Sequence, residues 1–551
     1  MSLIFWLAVG FFIALGLIKP LVGDRWFRAI ERSASGLARK KSLVVLGVGV
    51  FAVLFRIAIL PLQPIPLPVI HDEFSNLLAA DTFAQGRLTN PPHPMWIFFD
   101  TFHVLQHPTY ASKYPPAEGL VLALGQLAGH PWFGTVLFLG LMSMAIAWML
   151  QGWVPPQWAL LVSIFAVLRL CLFNYWFDGY FGAAVSTLGA ALVLGAFPRV
   201  VHRRRFSDAV WLGIGALILA LSRPFEGFLF CLPVAVGVLF LFRREIREAT
   251  FWKIAFRNVF LPAFAVLTAG MVWLGYDNWR VTGSPTVFPY FLYHREYHNF
   301  PIFAWQRIPP PLHYQNPQFE AYFNTWQRVQ FPRSFAHWTR RTYAALRAWW
   351  YVYLGPILTV PFLSLPYLWR DRRIRLPLIQ VPLCAAGMAA VVWFQPHYAA
   401  PLAATIFVLL AQAMRHLRRF HCLKRPIGVY LSRIVVVIAL DWVLILAVHS
   451  AQHPVVPWSQ ERLRIAEQLT AMSGGHLVLV DYASQHKIHQ EWVYNAADID
   501  KSHIVWARRI PGRDLAPLLS YFAGRSVWVV YPDETPVRLV RYTGAGQTSE
   551  P

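Results

Sequence analysis

The chain has 551 residues, of which 56% are hydrophobic, 16% aromatic and only 14% charged, and its mean hydropathy is +0.43. Soluble proteins carry about 25% charged residues, so this chain cannot cover its surface in water. Disorder, collagen-like structure and a cytosolic enzyme are excluded, and a polytopic α-helical membrane protein is left. The 49 Lys and Arg against 27 Asp and Glu give a formal net charge of +22. The basic residues fall in short runs between long apolar segments, a pattern that fixes membrane topology rather than one that grips nucleic acid. The four cysteines, Cys171, Cys231, Cys384 and Cys422, stand singly and far apart and read as small hydrophobes, not as a disulfide framework or metal site.

A helix that crosses a hydrocarbon core needs about 20 mostly apolar residues. On that rule the sequence offers roughly twelve spans, near 3–20, 43–62, 132–150, 158–174, 180–198, 208–222, 227–242, 259–276, 345–368, 376–394, 398–415 and 429–449. The first has no basic region before it and no A-x-A-like site after it, and reads as a retained helix rather than a signal peptide. Basic clusters at 25–41, 203–205, 243–247, 370–375 and 415–419 occupy alternate connections. With all of them in the cytoplasm, residues 63–131, 277–344 and everything after about 450 fall on the other side.

Residues 1–450 thus read as a transmembrane module and 451–551 as a soluble extracytoplasmic α/β domain. Segment 63–131 holds a helical stretch from Glu73 to Gln85, a loop rich in Pro, His and Trp, and a short apolar stretch from Pro115 to Leu127 that fits a surface or re-entrant helix. Segment 277–344 is dense in Tyr, Phe, Trp, Pro and His, as expected of a loop lying over the bundle mouth. After 450, an amphipathic helix (Glu461–Met472), strand-like runs at 476–481, 504–510 and 527–531, and a helix near 515–522 predict a small α/β layer with parallel pairing.

The chemistry concentrates at the outer ends of the spans. Ile70-His71-Asp72-Glu73-Phe74 puts two adjacent carboxylates at the start of a helix just outside a span. Capping explains them without any function, yet a cap also holds a carboxylate at a fixed height above the bilayer, and ionisable groups at such a boundary are functional candidates. Ser112-Lys113-Tyr114-Pro115-Pro116-Ala117-Glu118-Gly119 seats a lysine beside a helix N-terminus, where cation and free amides suit a phosphate; the plainer reading is a snorkelling side chain. Asp178 in Tyr175–Tyr180, Arg223 and Glu226 in Ser222–Gly227, and His397-Tyr398 in Gln395–Pro401 lie at other outer span ends. Each alone reads as a salt bridge, cap or interface anchor, but together they converge on one membrane face.

The span followed by His71-Asp72-Glu73, then Leu78-Ala79-Ala80-Asp81-Thr82-Phe83, Gly86-Arg87-Leu88 and Lys113-Tyr114-Pro115-Pro116, resembles the first outer loop of GT-C membrane glycosyltransferases. Among these the pattern is nearest to protein O-mannosyltransferases, the lipid A aminoarabinose transferase and RgtA/B/C/D-like lipopolysaccharide-sugar transferases. Arg223-Pro224 and His397-Tyr398 echo weaker family patterns. The motif-level resemblance covers about residues 70–130; the rest of the chain matches by topology alone.

The resemblance implies transfer of a sugar from a polyprenyl-phosphate donor to an acceptor hydroxyl on a glycan, lipid or protein, on the extracytoplasmic face of a bacterial inner membrane. It makes Asp72 the base and gives Glu73 a supporting part. Lys113 and Arg223 become phosphate contacts, and His71, Tyr114, Asp178, Glu226, His397 and Tyr398 candidates for substrate contact. The chain departs from the family in one extra span before His71. The first outer loop has no D-x-D motif, so no cofactor is expected to be required, although Asp72 and Glu73 have the chemistry to take Mg2+ or Mn2+ with waters. His476, His486 and His489 lack metal-site spacing and read as surface residues. The competing functions are a transporter or lipid flippase, against which stands the absence of two related halves, and an envelope scaffold, which leaves Asp72 and Lys113 unexplained.

Overall fold

The computed structural model describes residues 15, 18, 19, 21–242, 254–298, 300–331, 334–421, 424–453, 457–544, 548 and 549. An amphipathic helix α1 (Asp24–Ala38) precedes the apolar α2 (Lys41–Ala58). The first outer loop holds α3 (His71–Ala84), a two-residue hairpin of β1 (Val104–Leu105) and β2 (Ala111–Ser112), and α4 (Pro116–Leu127). The chain then runs through α5 (Pro131–Trp153), α6 (Pro156–Ala166, continued by a π-helical turn Val167–Cys171), the single turn α7 (Tyr175–Asp178), α8 (Ala183–Arg203), α9 (Phe206–Ser222), α10 (Pro224–Phe242) and α11 (Leu261–Thr282). After α12 (Pro289–Tyr297) come α13 (Phe335–Tyr353), α14 (Gly355–Thr359), α15 (Arg375–Ala390), α16 (Ala400–Arg418) and α17 (Ile427–Gln452).

Proline placement writes these boundaries. Pro116, Pro131 and Pro156 occupy the first turn of their helices, where the missing N–H costs nothing, and the His130 ring accepts from the Trp132 amide to cap α5. The centre of the bundle is α8 and α16, whose apolar windows are 83% and 94% buried. Small residues permit the close crossing of α8 and α9: a Cβ on Gly215 would stand 2.6 Å from the Gly189 carbonyl oxygen. This is how helices associate where no hydrophobic drive exists between them.

Six described helices are long and apolar enough to cross a membrane: Lys41–Ala58, Pro131–Trp153, Ala183–Arg203, Phe256–Thr282, Pro396–Arg418 and Ile427–Gln452. A seventh arises if Phe335–Tyr353 and Gly355–Arg370, bent by 90° at their junction, count as one span. That is fewer than the twelve expected. The span expected at 3–20 lies almost wholly outside the described residues, while Pro156–Cys171, Phe206–Ser222 and Pro224–Phe240 are apolar but short. The span expected at 345–368 breaks at Gly355, whose φ of 64° is open to glycine at little cost and is followed by Pro356.

Past α17, α18 (Ser459–Thr470) leads into β3 (His476–Val480), β4 (Ile504–Arg508), α19 (Ala516–Tyr521), β5 (Ser526–Tyr531), β6 (Arg538–Tyr542) and β7 (Thr548–Ser549). The sheet order is β4-β3-β5-β6-β7. β3 pairs parallel with both β4 and β5, and β6 and β7 add antiparallel. One face of this sheet is closed in part by the first outer loop rather than by the C-terminal segment alone. Phe74, Leu78, Phe98, Phe99, Val104 and Tyr110 of the first outer loop pack into the same apolar cluster as Leu477, Leu479, Val505 and Val529. Polar contacts reinforce the seam: the Ala497 amide donates to Asp81 at 2.7 Å, the Trp458 indole to the Val69 carbonyl at 3.0 Å, and His93 lies 3.0 Å from Asp500.

Deleting residues 457–551 therefore uncovers Phe74, Phe98 and Phe99 in water, and each buried aromatic contributes about 1.5–3 kcal/mol. Limited proteolysis of the truncated protein should cut within 63–131 at protease levels that leave the full chain intact. Equal resistance of the two would contradict the shared core.

Candidate functional site

Helix α3 starts from an extended Ile70, and no side chain caps it. Asp72 is thus not consumed by its own helix end. Its carboxylate, 19% exposed, is 3.5 Å from His103 Nε2 and accepts from the Tyr114 hydroxyl at 2.5 Å. His103 sits at φ 63°, a strained setting for a residue with a Cβ. It is locked there by its amide donating to the Tyr293 hydroxyl at 2.9 Å and its carbonyl accepting from Ser75 at 2.6 Å. Burial, the Lys113 charge and the neighbouring His71 hold its ring well below the usual histidine range.

Lys113 follows β2 and is 3% exposed. Its Nζ lies 4.8, 5.1 and 5.4 Å from the ring centres of Tyr293, Tyr114 and Tyr290, so aromatic faces replace water around the ammonium. Burial pulls its pKa down to about 7, against the opposing pull of Asp72. Arg223 stands at the α9–α10 junction, 4.5 Å over the Tyr398 ring. Among the described residues neither cation forms an ion pair.

The charges of Asp72, Arg223 and Glu226 all act on Tyr290, whose hydroxyl is pushed up to about 12 by burial and the two carboxylates. The same three act on Tyr398. The fold therefore gathers α3, β2, the α9–α10 junction, α12 and the start of α16 at one locus. His397 is buried there too, stacked on Trp176 at 4.8 Å and edge-on to Tyr398 at 4.6 Å.

The other predicted residues surround this locus in different ways. Both Glu73 oxygens are engaged: Oε2 accepts from the Val69 amide at 3.0 Å and the Tyr175 hydroxyl at 2.8 Å, and Oε1 from the Tyr180 amide at 3.3 Å. Asp178 is an ion-pair partner of Arg56, with contacts of 2.6 and 2.8 Å, and also accepts from Gln63 and the Trp132 indole. His71 is buried, with Nδ1 3.0 Å from the Tyr494 hydroxyl and its ring among Phe102, His103 and His489.

Sequence reasoning missed His103, Glu118, Tyr290, Tyr293 and His489. Glu118 stood inside the quoted lysine motif; it is buried, pushed up to about 8 by burial against the opposing pull of Arg223, and its Oε2 has no partner. Tyr290 and Tyr293 belong to the aromatic outer segment. His476, His486 and His489 are not the surface residues expected. His476 takes the Trp528 indole hydrogen at 3.1 Å, His486 pairs with Asp533 at 2.7 Å, and His489 packs on Trp326 and His71. Among the described residues no group of three or more His, Cys, Asp and Glu is placed to hold a metal ion. A cavity of about 370 Å³ is lined by Tyr175 and Trp176 and not by Asp72, Lys113 or Arg223.

No protein-family model matches the sequence, and no curated protein matches it. In structure, the chain is similar to ArnT from Cupriavidus metallidurans bound to undecaprenyl phosphate, at 14% identity and TM-score 0.44 over 90% of this chain and 93% of that one. It is also similar to the Archaeoglobus fulgidus oligosaccharyltransferase in complex with Zn and sulfate, at 13% identity and TM-score 0.45 over 88% of this chain and 67% of that one.

Burial raises the Glu73 carboxyl from 4.5 to about 7, with Asp72 adding to the rise and the three donors opposing it. A carboxyl raised in this way stabilises the fold fully below pH 4.5, and that contribution is lost as pH rises through about 7. Glu73→Gln keeps the neutral shape and cannot ionise, so thermal melts in detergent should show the wild type losing stability relative to the variant across this window. A pH-independent difference would contradict the burial.

Proposed function

We propose that this chain is a membrane glycosyltransferase that moves a sugar from a polyprenyl-phosphate donor to an acceptor hydroxyl on the extracytoplasmic side of a bacterial inner membrane. One observation carries the reading: a part-exposed carboxylate, Asp72, shares a tyrosine-lined locus at one end of an apolar bundle with two cations, Lys113 and Arg223, that form no ion pair among the described residues. The GT-C-like motif around His71–Glu73 and Lys113 points the same way. The C-terminal domain lies on the same side as the site, since it closes over the first outer loop.

The chemistry uses few groups. The acceptor oxygen attacks the anomeric carbon as the carbon–oxygen bond to the phosphate breaks. The bonding pair leaves with the phosphate, the acceptor proton passes to Asp72, and the anomeric centre inverts. Lys113 and Arg223 stabilise the charge that develops on the departing phosphate, so no acid is needed for the leaving group. Tyr114 and His103 orient Asp72, and Glu73 and Asp178 fix the helix and loop that carry it. Glu226, His397 and Tyr398 shape the wall around the sugar, with His71 behind.

Asp72→Asn in the purified full-length protein should lower transfer from a radiolabelled polyprenyl-phosphate sugar by about 10^2–10^4-fold, the usual worth of a general base. The assay is run with Mg2+, with Mn2+ and with EDTA. Undiminished transfer would remove Asp72 as base, and lipid movement without covalent product would replace the transferase with a flippase.

Lys113 supplies a second test. With its pKa near 7 in the free protein, a bound phosphate restores its charge and takes up a proton. Donor affinity should therefore fall by up to about tenfold per pH unit above 7, measured by titration with the unglycosylated polyprenyl phosphate. Lys113→Ala should bind more weakly and lose that slope. Unchanged affinity in the variant would contradict the assignment.

A further inference from the structure

A cavity of about 370 Å³ falls within the range of small-ligand sites. It lies between α6, the α13–α14 junction and α17, with Leu168, Leu172, Leu354, Ile357, Val443 and Leu446 among its lining. Its wall is apolar with one charged exception, Arg169. That residue sits in the π-helical turn Val167–Cys171 at the end of α6, a distortion that often marks functional positions.

The Arg169 guanidinium has no hydrogen bond or ion pair among the described residues. Its Nε is buried without a partner among the described residues, and the Tyr351 ring lies 5.7 Å from the guanidinium. Gly355 at φ 64° leaves room for it: a Cβ there would stand 3.2 Å from Nη2. A cation held against apolar helices without a counter-ion is costly, and a guanidinium is the side chain best shaped to take a phosphate through paired donors.

The depth is informative. Arg169 is at the end of α6 that leads into α7, and α7 carries the Tyr175 hydroxyl bonded to Glu73. Arg169 therefore lies at the level of the first outer loop, where lipid head groups begin, and the cavity walls toward Val443 and Leu446 are the apolar flank of a membrane-length helix.

We infer that this cavity is a lipid site, separate from the Asp72 locus, in which Arg169 binds the phosphate of an anionic lipid and the apolar walls take its chain. It shares a wall with the Asp72 locus: Tyr175 and Trp176 line the cavity, while the Tyr175 hydroxyl bonds Glu73 and the Trp176 ring stacks on His397. An occupant there packs directly against the residues that brace the site. The inference does not depend on glycosyl transfer.

The test uses the full-length protein in detergent, titrated with phosphatidylglycerol, phosphatidylcholine or inorganic phosphate and read by native mass spectrometry. The wild type should bind phosphatidylglycerol at least about tenfold more tightly than phosphatidylcholine, the factor given by a charge-assisted hydrogen bond. Arg169→Gln should bring that ratio close to one, and Arg169→Lys should retain part of it. Ala439→Trp, which fills the cavity and leaves the arginine in place, should abolish retention of both lipids, so misfolding around Arg169 is not the sole explanation of a loss. Asp72→Asn should leave the ratio of the two lipids unchanged. An unaltered ratio in Arg169→Gln, retention undisturbed in Ala439→Trp, or full displacement of the lipid by an equal concentration of inorganic phosphate would each overturn the inference.

Discussion

On the proposed reading Asp72 acts just outside a bilayer and must be held at a fixed height, and two other carboxylates do the holding. Glu73 is pinned by the amides of Val69 and Tyr180 and the hydroxyl of Tyr175, which ties the first turn of α3 to the segment entering it and to α7. Asp178, at the end of α7, is paired with Arg56 near the end of α2, with side chains 3% and 0% exposed. Gln63 and Trp132 complete its shell. Such a buried pair adds little net stability, but leaving one partner alone costs about 3–5 kcal/mol, so the geometry it imposes is enforced. Asp72, between these anchors, has no hydrogen-bond partner at its second oxygen among the described residues.

The opposing side of the locus is built from cations that form no ion pair among the described residues. Lys113 is surrounded by three tyrosine rings and Arg223 lies over a fourth. Cation–π contacts offset part of the desolvation without neutralising the charge, leaving positive groups ready for an anion. Arg169 follows the same design in the neighbouring cavity, with one aromatic ring and no carboxylate. On the opposite face of the bundle the logic is different. Arg418 and Arg433 are paired with Glu31 and Asp24 of α1, as expected of cations whose task is to fasten a surface helix.

Much of this was legible in the sequence where a local pattern sets the outcome. The start of α3 is one residue or two from the expected position, α4 begins at the expected Pro-Pro, and the strands at His476, Ile504 and Ser526 follow their apolar runs. Hydropathy reads 345–368 as one straight span because it averages over Gly355 and cannot see a 90° break. Pairings across long separations were out of reach. A salt bridge was one reading of Asp178, but no local pattern could name its partner, since Arg56 is 122 residues away. His103 lies in a loop without periodicity, where only a positive φ marks it. The C-terminal histidines looked exposed because their burial depends on packing between strands and against the first outer loop, which no linear pattern encodes.

The central claim is that Asp72, Lys113 and Arg223 address one ligand. The most direct measurement is an experimental structure of the full chain with a polyprenyl phosphate bound. The account predicts a phosphate within hydrogen-bond distance of both Lys113 Nζ and the Arg223 guanidinium, with Asp72 facing the position of the anomeric carbon. A phosphate held elsewhere, or the two cations opening into separate compartments, would contradict it.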